Sequence, residues 1–567
     1  MPTKLAPEDP LATSLEPSDS ERKAKTPAAQ GHPMTDGGGS QVESEVSTDD
    51  LTGRNRMLRN LLASWSGHAV FVVAGFVLPR VLDRQISQTG LGIWDFGWSI
   101  VGYFGIAQLG IGASVDRYVA HYRTRRDFER MNGAVSSAAC VQVMGGLVAF
   151  VLSVVVANLL PTLFATRLGD HGHEAQWMVL FLGTGVAVQL ACNSFTGVMN
   201  GCHRWDLHNA INAGFHGLTI VAMLVGLFAG GGLRYLAVVS FAGTVLTEIV
   251  RGFVTYHVCP ELSIRWRYVN RPQMAELFIF GGKVVLGSIS GLLIQQTTGL
   301  FIVGALGAGA LALYSRPMAL IRHASTFVEK FASILTPTVS SMQHVGHKHE
   351  LREFVLQTMQ YSAYLTLPPV LLLVIMGGPI LHIWMGPHYS EGALLAVLAL
   401  GHLITISYAP LWTVLRGVDK HGRPALARLL AAVVTVGLNL LALHVFHCGL
   451  MGAALAVTIP LTLLDGIYLP LYACRQFALP FAHFLRRTWY QPLRCTIGFA
   501  LCLTLARLYF YNQPVSALLV GLVGGGAVLA FTYWRRVLPL SVREPVKQWF
   551  AKTARQPATL LQKSGGS

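Results

Sequence analysis

The long apolar stretches of this chain recur in the same order about 216 residues on, so one half of the sequence predicts the layout of the other. The segment GVMNGCHRWDLHN at 197–209 finds its counterpart in TVLRGVDKHGRPA at 413–425, and each opens a short polar loop between two apolar runs. Leu91-Gly92 corresponds to Leu306-Gly307, and Glu248 in the sixth run corresponds to Asp465 in the twelfth at about the same depth. A duplicated bundle of six helices is how many secondary transporters are built, with the substrate site between the repeats.

Composition fits a chain that lives in lipid. Hydrophobic residues make up 52% of the 567 positions and charged residues only 13%, with a mean hydropathy of +0.48. A hydrocarbon core of about 30 Å needs roughly 20 apolar residues per helix. About fourteen runs meet that length, from 60–79 to 514–534, and several carry internal Gly or Pro. The fold class is therefore an all-α membrane protein of about 14 transmembrane helices. The expected organisation is a tail at 1–52, a six-helix lobe at 53–260, a second at 261–475, two additional helices at 476–536 and a basic tail at 537–567. The first tail is rich in Pro, Ser, Thr, Gly and acid without an apolar face, which predicts disorder. It also lacks the basic start and apolar core of a secretory signal.

The loops divide by charge. Even-numbered connections carry Arg117, Arg123, Arg125, Arg126 and Arg130, then Arg265, Arg267 and Arg271, then Arg416, Lys420, Arg423 and Arg428, whereas odd-numbered ones hold little base. Short cytoplasmic loops collect Lys and Arg, so the even loops and both termini are expected in the cytoplasm of a bacterium, with the protein in its inner membrane. The net charge of +15 then reflects topology and contact with anionic membrane lipids, not nucleic acid.

Other signals are weak. The eight cysteines are scattered without metal-site or disulfide spacing. His344, His347 and His349 read as a solvated polar loop, because no carboxylate or thiol completes a metal site there. No phosphate-cradling Gly motif is present, so neither a bound cofactor nor ATP coupling is expected.

Charges inside the runs are more informative, since each costs at least about 2.5 kcal/mol in hydrocarbon unless paired or hydrated. In the eighth run Arg316, His323 and Lys330 recur every seven residues and fall near one helix face, with Arg322 and Glu329 beside it. A water-filled cavity accommodates such a stripe; the alternative has Lys330 paired with Glu329 and Arg316 snorkelling outward. Lys283 lies about two turns into the seventh run. Glu248 and Arg251 are spaced to neutralise each other on one helix, whereas Asp465 has no such local partner. Asp95, Asp116 and Arg117 read as interfacial. The expected substrate-binding residues are Lys283, Arg316, Arg322 and His323. The expected ion-coupling residues are Glu248, Asp465 and His323, since buried carboxylates and imidazoles titrate readily. A lumen leaning positive suits an anionic substrate, phosphate above all, which Arg clasps through paired donors.

Specific residues carry a resemblance. The stretch VLPRVLDRQISQTGLGIWDFGWSIVGYFGIAQLGIGASVDRYVA at 77–120 resembles the first helix pair of bacterial polysaccharide transporters of the O-antigen flippase type. Leu367-Pro368-Pro369 leading to Ile380-Leu381-His382-Ile383-Trp384-Met385-Gly386-Pro387-His388-Tyr389 is similar to a second family pattern, and Arg416-Gly417 followed by Arg423-Pro424 to a third. The resemblance spans roughly 57–535. It implies the multidrug/oligosaccharidyl-lipid/polysaccharide exporter fold, two six-helix lobes forming a V plus two C-terminal helices. The same resemblance implies that the chain flips a polyprenyl-diphosphate-linked oligosaccharide from the cytoplasmic to the periplasmic leaflet by alternating access, for surface or exported polysaccharide synthesis. The implied partners are that lipid-linked anionic oligosaccharide and, downstream, polysaccharide polymerase machinery. A lipid II flippase is a close rival. A drug/cation antiporter of the same fold would want an acidic or aromatic lumen. A membrane glycosyltransferase would need a large external loop, and the longest, 161–176, is short. No enzymatic activity is expected.

Overall fold

The computed structural model describes residues 54–108, 111–168, 171–333, 348–537 and 543–544, with the side chains of 54–66, 107, 108, 113, 276, 278–288, 333 and 348 outside that description. The expected tail at 1–52 and nearly all of 537–567 lie outside the described residues, as do His344 and His347. Everything described is helix, turn or loop; no strand occurs among the described residues.

The first repeat runs α1 (Arg54–Gln85), α2 (Gln88–Val101), a 3₁₀ segment (Gly102–Gln108), α3 (Ile111–Thr124), α4 (Phe128–Leu163), α5 (Gly172–Ala191), α6 (Asn193–Gly201), α7 (Trp205–Phe228) and α8 (Leu233–Val258). The second runs α9 (Arg271–Leu306), α10 (Ala308–Ser333), α11 (Lys348–Met385), α12 (Gly392–Ser407), α13 (Ala409–Gly417), α14 (Gly422–Leu440), α15 (Gly449–Leu463) and α16 (Leu469–Phe477). The chain closes with α17 (Phe481–Tyr509) and α18 (Pro514–Arg536). A π turn (Leu441–Val445) extends α14, and another (Leu464–Tyr468) joins α15 to α16. Pro460 contributes to the second irregularity, because its ring nitrogen cannot donate to the preceding turn.

The duplication is visible down to single hydrogen bonds. α5 breaks into α6 at Cys192 as α12 breaks into α13 at Tyr408. After α6, His203 N–H donates to Asn200 O and Arg204 N–H to Met199 O; after α13, Asp419 N–H donates to Arg416 O and Lys420 N–H to Leu415 O. These are two copies of one helix-ending motif, in which a left-handed residue lets the chain fold back on the last carbonyls. That residue is His203 (φ 56°) in one copy and Asp419 (φ 54°) in the other, two types that tolerate the left-handed region without being glycine.

Among the described residues, nine helices are long and apolar enough to cross a bilayer alone, or ten if the bent pair α5–α6 is one span. The shortfall from the expected fourteen has local causes. α2 is only 14 residues long before the 3₁₀ segment interrupts it. α10 carries Arg316, Arg322, Glu329 and Lys330, and α17 carries Arg486, Arg487, Arg494 and Arg507.

The apolar packing differs between the two ends of the bundle. At the end opposite the basic loops, one core draws on both repeats, joining Leu78, Leu91 and Phe96 to Leu311, Tyr314 and Leu381. Gly92 makes this approach possible: a Cβ there would lie 1.8 Å from the backbone oxygen of Ala308, so α2 and the start of α10 meet without side-chain spacing. At the basic end the cores separate. One gathers Val115, Met131 and Val198 of the first repeat with Leu277 of α9, and another gathers Val355, Leu411 and Leu469 with Phe484 of α17.

Candidate functional site

Mid-way along the bundle, α1, α2, α7, α8 and α10 wall a cavity of about 490 Å³. Phe71, Trp94 and Trp98 give it aromatic surface, and Asp95, Glu248, Arg251, Arg316 and Arg322 give it charge. A second cavity of about 350 Å³ lies toward α9, α12 and α14. Both volumes fall within the roughly 300–1,000 Å³ typical of small-molecule sites.

Arg316 differs from its expectation as a free cation. It is 4% exposed, and its Nη2 donates to both carboxylate oxygens of Asp95, at 2.7 and 2.5 Å. Asp95, expected to be interfacial, is therefore one half of an ion pair between the repeats, brought to Arg316 by the packing of α2 on α10. A buried guanidinium without a carboxylate would carry a desolvation penalty of several kcal/mol. Glu248 and Arg251 adopt the self-neutralising arrangement that their spacing allowed. Both are 3% exposed, and Arg251 also donates to Asn212 Oδ1 on α7.

Those pairings leave one prominent charge. Arg322 is exposed on the cavity wall, forms no ion pair among the described residues, and lines both cavities. His323, next to it, is half-buried and stacks on the Phe76 ring at 5.3 Å while lining the first cavity. Lys330 lines neither cavity, and Glu329 lines the second. Lys283 lies on α9, but its side chain is outside the described residues.

Asp465 forms no ion pair among the described residues. It is fully buried on the π turn and accepts a hydrogen bond from Trp412 Nε1 at 3.1 Å. The Arg428 guanidinium sits 5.1 Å above that same indole. Glu248 and Asp465 share a further property: one oxygen of each carboxylate, Oε2 and Oδ2, is buried with no hydrogen-bond partner among the described residues. Buried polar atoms are rarely left so, and such exceptions cluster where a protein has work to do.

Sequence reading missed Asp95, Asn212, Trp412, Arg428 and His402. The repeat offset held a signal for one of them, since Asn212 beside Glu248 aligns with Arg428 near Asp465. Among the described residues, no three His, Cys, Asp or Glu side chains gather as a metal site.

Beyond the cavity, toward the end opposite the basic loops, polar ties join the repeats. Gln88 Nε2 donates to Gly309 O at 3.0 Å, Trp384 Nε1 to Phe76 O at 2.7 Å, and the Tyr389 hydroxyl to Asp83 Oδ1 at 2.5 Å. Burial, reinforced by the Asp83 carboxylate, pushes the Tyr389 phenol above its usual range, so it remains a donor at neutral pH.

Known proteins resemble this chain in sequence and fold. A family profile described as "Polysaccharide biosynthesis protein" matches residues 129–393. The membrane protein EpsK of Bacillus subtilis, itself uncharacterized, is 25% identical over 405 residues, covering 68% of this chain and 77% of its own length. A putative O-antigen transporter of Shigella flexneri is 21% identical over 418 residues, covering 73% of this chain and 96% of its own. The chain is similar to bacterial proteins of polysaccharide biosynthesis and transport. Its fold is that of a solved relative, the lipid II flippase MurJ in an inward closed conformation, which superposes with a TM-score of 0.63 at 13% identity over 85% of this chain and all of the flippase. This multi-pass membrane protein thus pairs the transporter fold with a cavity whose buried charges are matched and whose exposed Arg322 is not.

Proposed function

We propose that this protein flips a polyprenyl-diphosphate-linked oligosaccharide from the cytoplasmic to the periplasmic leaflet of a bacterial inner membrane. The observation that carries this reading is Arg322: an exposed guanidinium on a membrane helix, at the junction of two cavities, with no acid bound to it among the described residues. A cation so placed calls for an anion, and a diphosphate satisfies its planar donors in pairs. Arg316 is poised to help, since a diphosphate competes with Asp95 for the same Nη2. Lys283 joins them as a proposed headgroup ligand.

The polar ties and shared core close the end opposite the basic loops, which fits a state closed to the periplasm with both termini in the cytoplasm. Rocking about that end would present the headgroup to the other leaflet. Glu248, Asp465 and His323 are the groups proposed to take up the coupling ion. The two carboxylates each have an unengaged oxygen on which a proton can sit. The protein acts as a transporter and not as an enzyme, and it hands the glycan to polymerase machinery.

A second reading, transport of lipid II, is favoured by the likeness to MurJ over that protein's whole length. Reconstituted vesicles decide between them. A fluorescent polyprenyl-diphosphate oligosaccharide, lipid II and a cationic dye are each followed across the bilayer with the wild-type protein. Movement of the oligosaccharide lipid alone or fastest is expected. Movement of lipid II alone transfers the assignment to the second reading, and export of the dye alone overturns both.

A further inference from the structure

The second cavity differs in chemistry from the first. Its wall carries a cluster of uncharged hydrogen-bonding groups, the amides of Gln295 and Gln296 on α9, the hydroxyls of Thr326 and Thr405, and the imidazole of His402, with Arg322, Glu329 and Arg428 as its charged members. Gln295 is exposed to the cavity, and neither glutamine forms a hydrogen bond among the described residues. Gln296 is held by packing, its amide lying where a Cβ on Gly102 would reach within 2.5 Å. His402 donates from Nδ1 to the Leu398 carbonyl at 2.8 Å, which leaves Nε2 as an acceptor. Arg428 Nε, lining this cavity, is buried without any hydrogen-bond partner among the described residues, and the Thr405 hydroxyl on the same wall lies against the Asp465 carboxylate. Buried polar atoms of this kind are normally satisfied, so the wall is short of ligands.

The donor and acceptor inventory selects a ligand class. An amide offers both donors and acceptors, the Thr326 hydroxyl, which donates to the Arg322 carbonyl at 2.9 Å, keeps its acceptor, and this imidazole accepts. A phosphate would use only the donors and leave the amide oxygens and Nε2 unmet. A hydrophobic cation would use neither set. A neutral polyol, each of whose hydroxyls both gives and takes a hydrogen bond, meets the amides and the imidazole together and can also bond the Glu329 carboxylate and the Arg428 guanidinium.

We propose that the second cavity is a subsite for the uncharged sugar part of the cargo, distinct from the diphosphate position at Arg322. This rests on the flippase reading, because Arg322 lines both cavities and so sets a headgroup at the mouth of the second. Gln295, Gln296 and Thr405 would then bias which glycans are accepted.

The test uses full-length protein in lipid nanodiscs and two fluorescent probes: farnesyl diphosphate carrying a neutral trisaccharide, and farnesyl diphosphate without sugar. The wild type is expected to bind the glycosylated probe more tightly. The double variant Gln295→Leu, Thr405→Val is expected to lose about tenfold for that probe, as removal of two hydrogen bonds implies, and to hold the sugar-free probe unchanged. Retained binding of the sugar-free probe also reports intact folding. If the double variant proves unstable, Gln295→Leu alone, at an exposed cavity position, asks the same question. Equal affinity of wild type for both probes, or equal binding of the glycosylated probe by wild type and variant, overturns the subsite and leaves the flippase reading standing. Failure of the wild type to bind either probe removes both.

Discussion

The two ends of the bundle are held by different means. At one, a single apolar core crosses from repeat to repeat, Gly92 brings two helices into backbone contact, and charged and polar ties seal the seam. At the basic end, the described apolar residues fall into two separate cores, only the start of α9 at Leu277 joining the first-repeat one, and the described hydrogen bonds between α4 and the 259–273 region tether the connector. The contrast teaches where the free energy of this conformation resides. Among the described residues, opening the basic end breaks fewer apolar contacts between the repeats, chiefly those of Leu277. Opening the other end requires a shared core, a buried ion pair and several hydrogen bonds to be broken together.

Breaking the ion pair should have the largest effect. Asp95→Ala leaves Arg316 buried and uncompensated, which is expected to cost about 3–5 kcal/mol and to lower the thermal midpoint in micelles sharply. Adding Arg316→Met to that variant should recover much of the loss, because the stranded charge goes with it. No recovery in the double variant would mean that Asp95 acts through other contacts. Gly92→Ala comes next. The Ala308 carbonyl is backbone and cannot swing aside, so overpacking of about 1–3 kcal/mol is expected. The same variant should also loosen the sealed end, seen as faster labelling of a cysteine at Thr244 in the first cavity by a membrane-impermeant thiol reagent from that side.

Smaller still is Tyr389→Phe, which removes one hydrogen bond to a carboxylate, worth about 1.5 kcal/mol. Because the folded phenol has its pKa raised, its contribution is fully present below the ordinary tyrosine pKa and is lost only above it. The difference between Tyr389→Phe and wild type should therefore be flat between about pH 6 and pH 9. A difference that varied over that range would point to another titrating group at the seam.

Much of the fold was legible in the sequence because duplication writes the same instruction twice. The loops at 197–209 and 413–425 share little identity, yet both end their helices with the same pair of hydrogen bonds. Glu248 and Asp465 were matched by depth, and both prove buried. What escaped was long-range pairing. Arg316 and Asp95 are 221 residues apart, so periodicity within α10 exposed the cation without its partner. The π turn under Asp465 and the 3₁₀ break after α2 were also hidden, since neither changes the apolar pattern of its run. The separation of an aromatic, ion-paired cavity from an amide-rich one depends on which faces of α9, α10 and α12 meet, which no single run encodes.

The central claim is that the exposed Arg322 guanidinium receives the anionic headgroup. It is tested most directly by the rate at which a fluorescent polyprenyl-diphosphate oligosaccharide crosses reconstituted vesicles, with wild type beside Arg322→Gln at matched folded protein. Loss of a charge-assisted contact of about 1.5–3 kcal/mol predicts a fall of roughly ten- to hundredfold in Arg322→Gln, with partial return in Arg322→Lys. Crossing at the wild-type rate in Arg322→Gln would contradict the account.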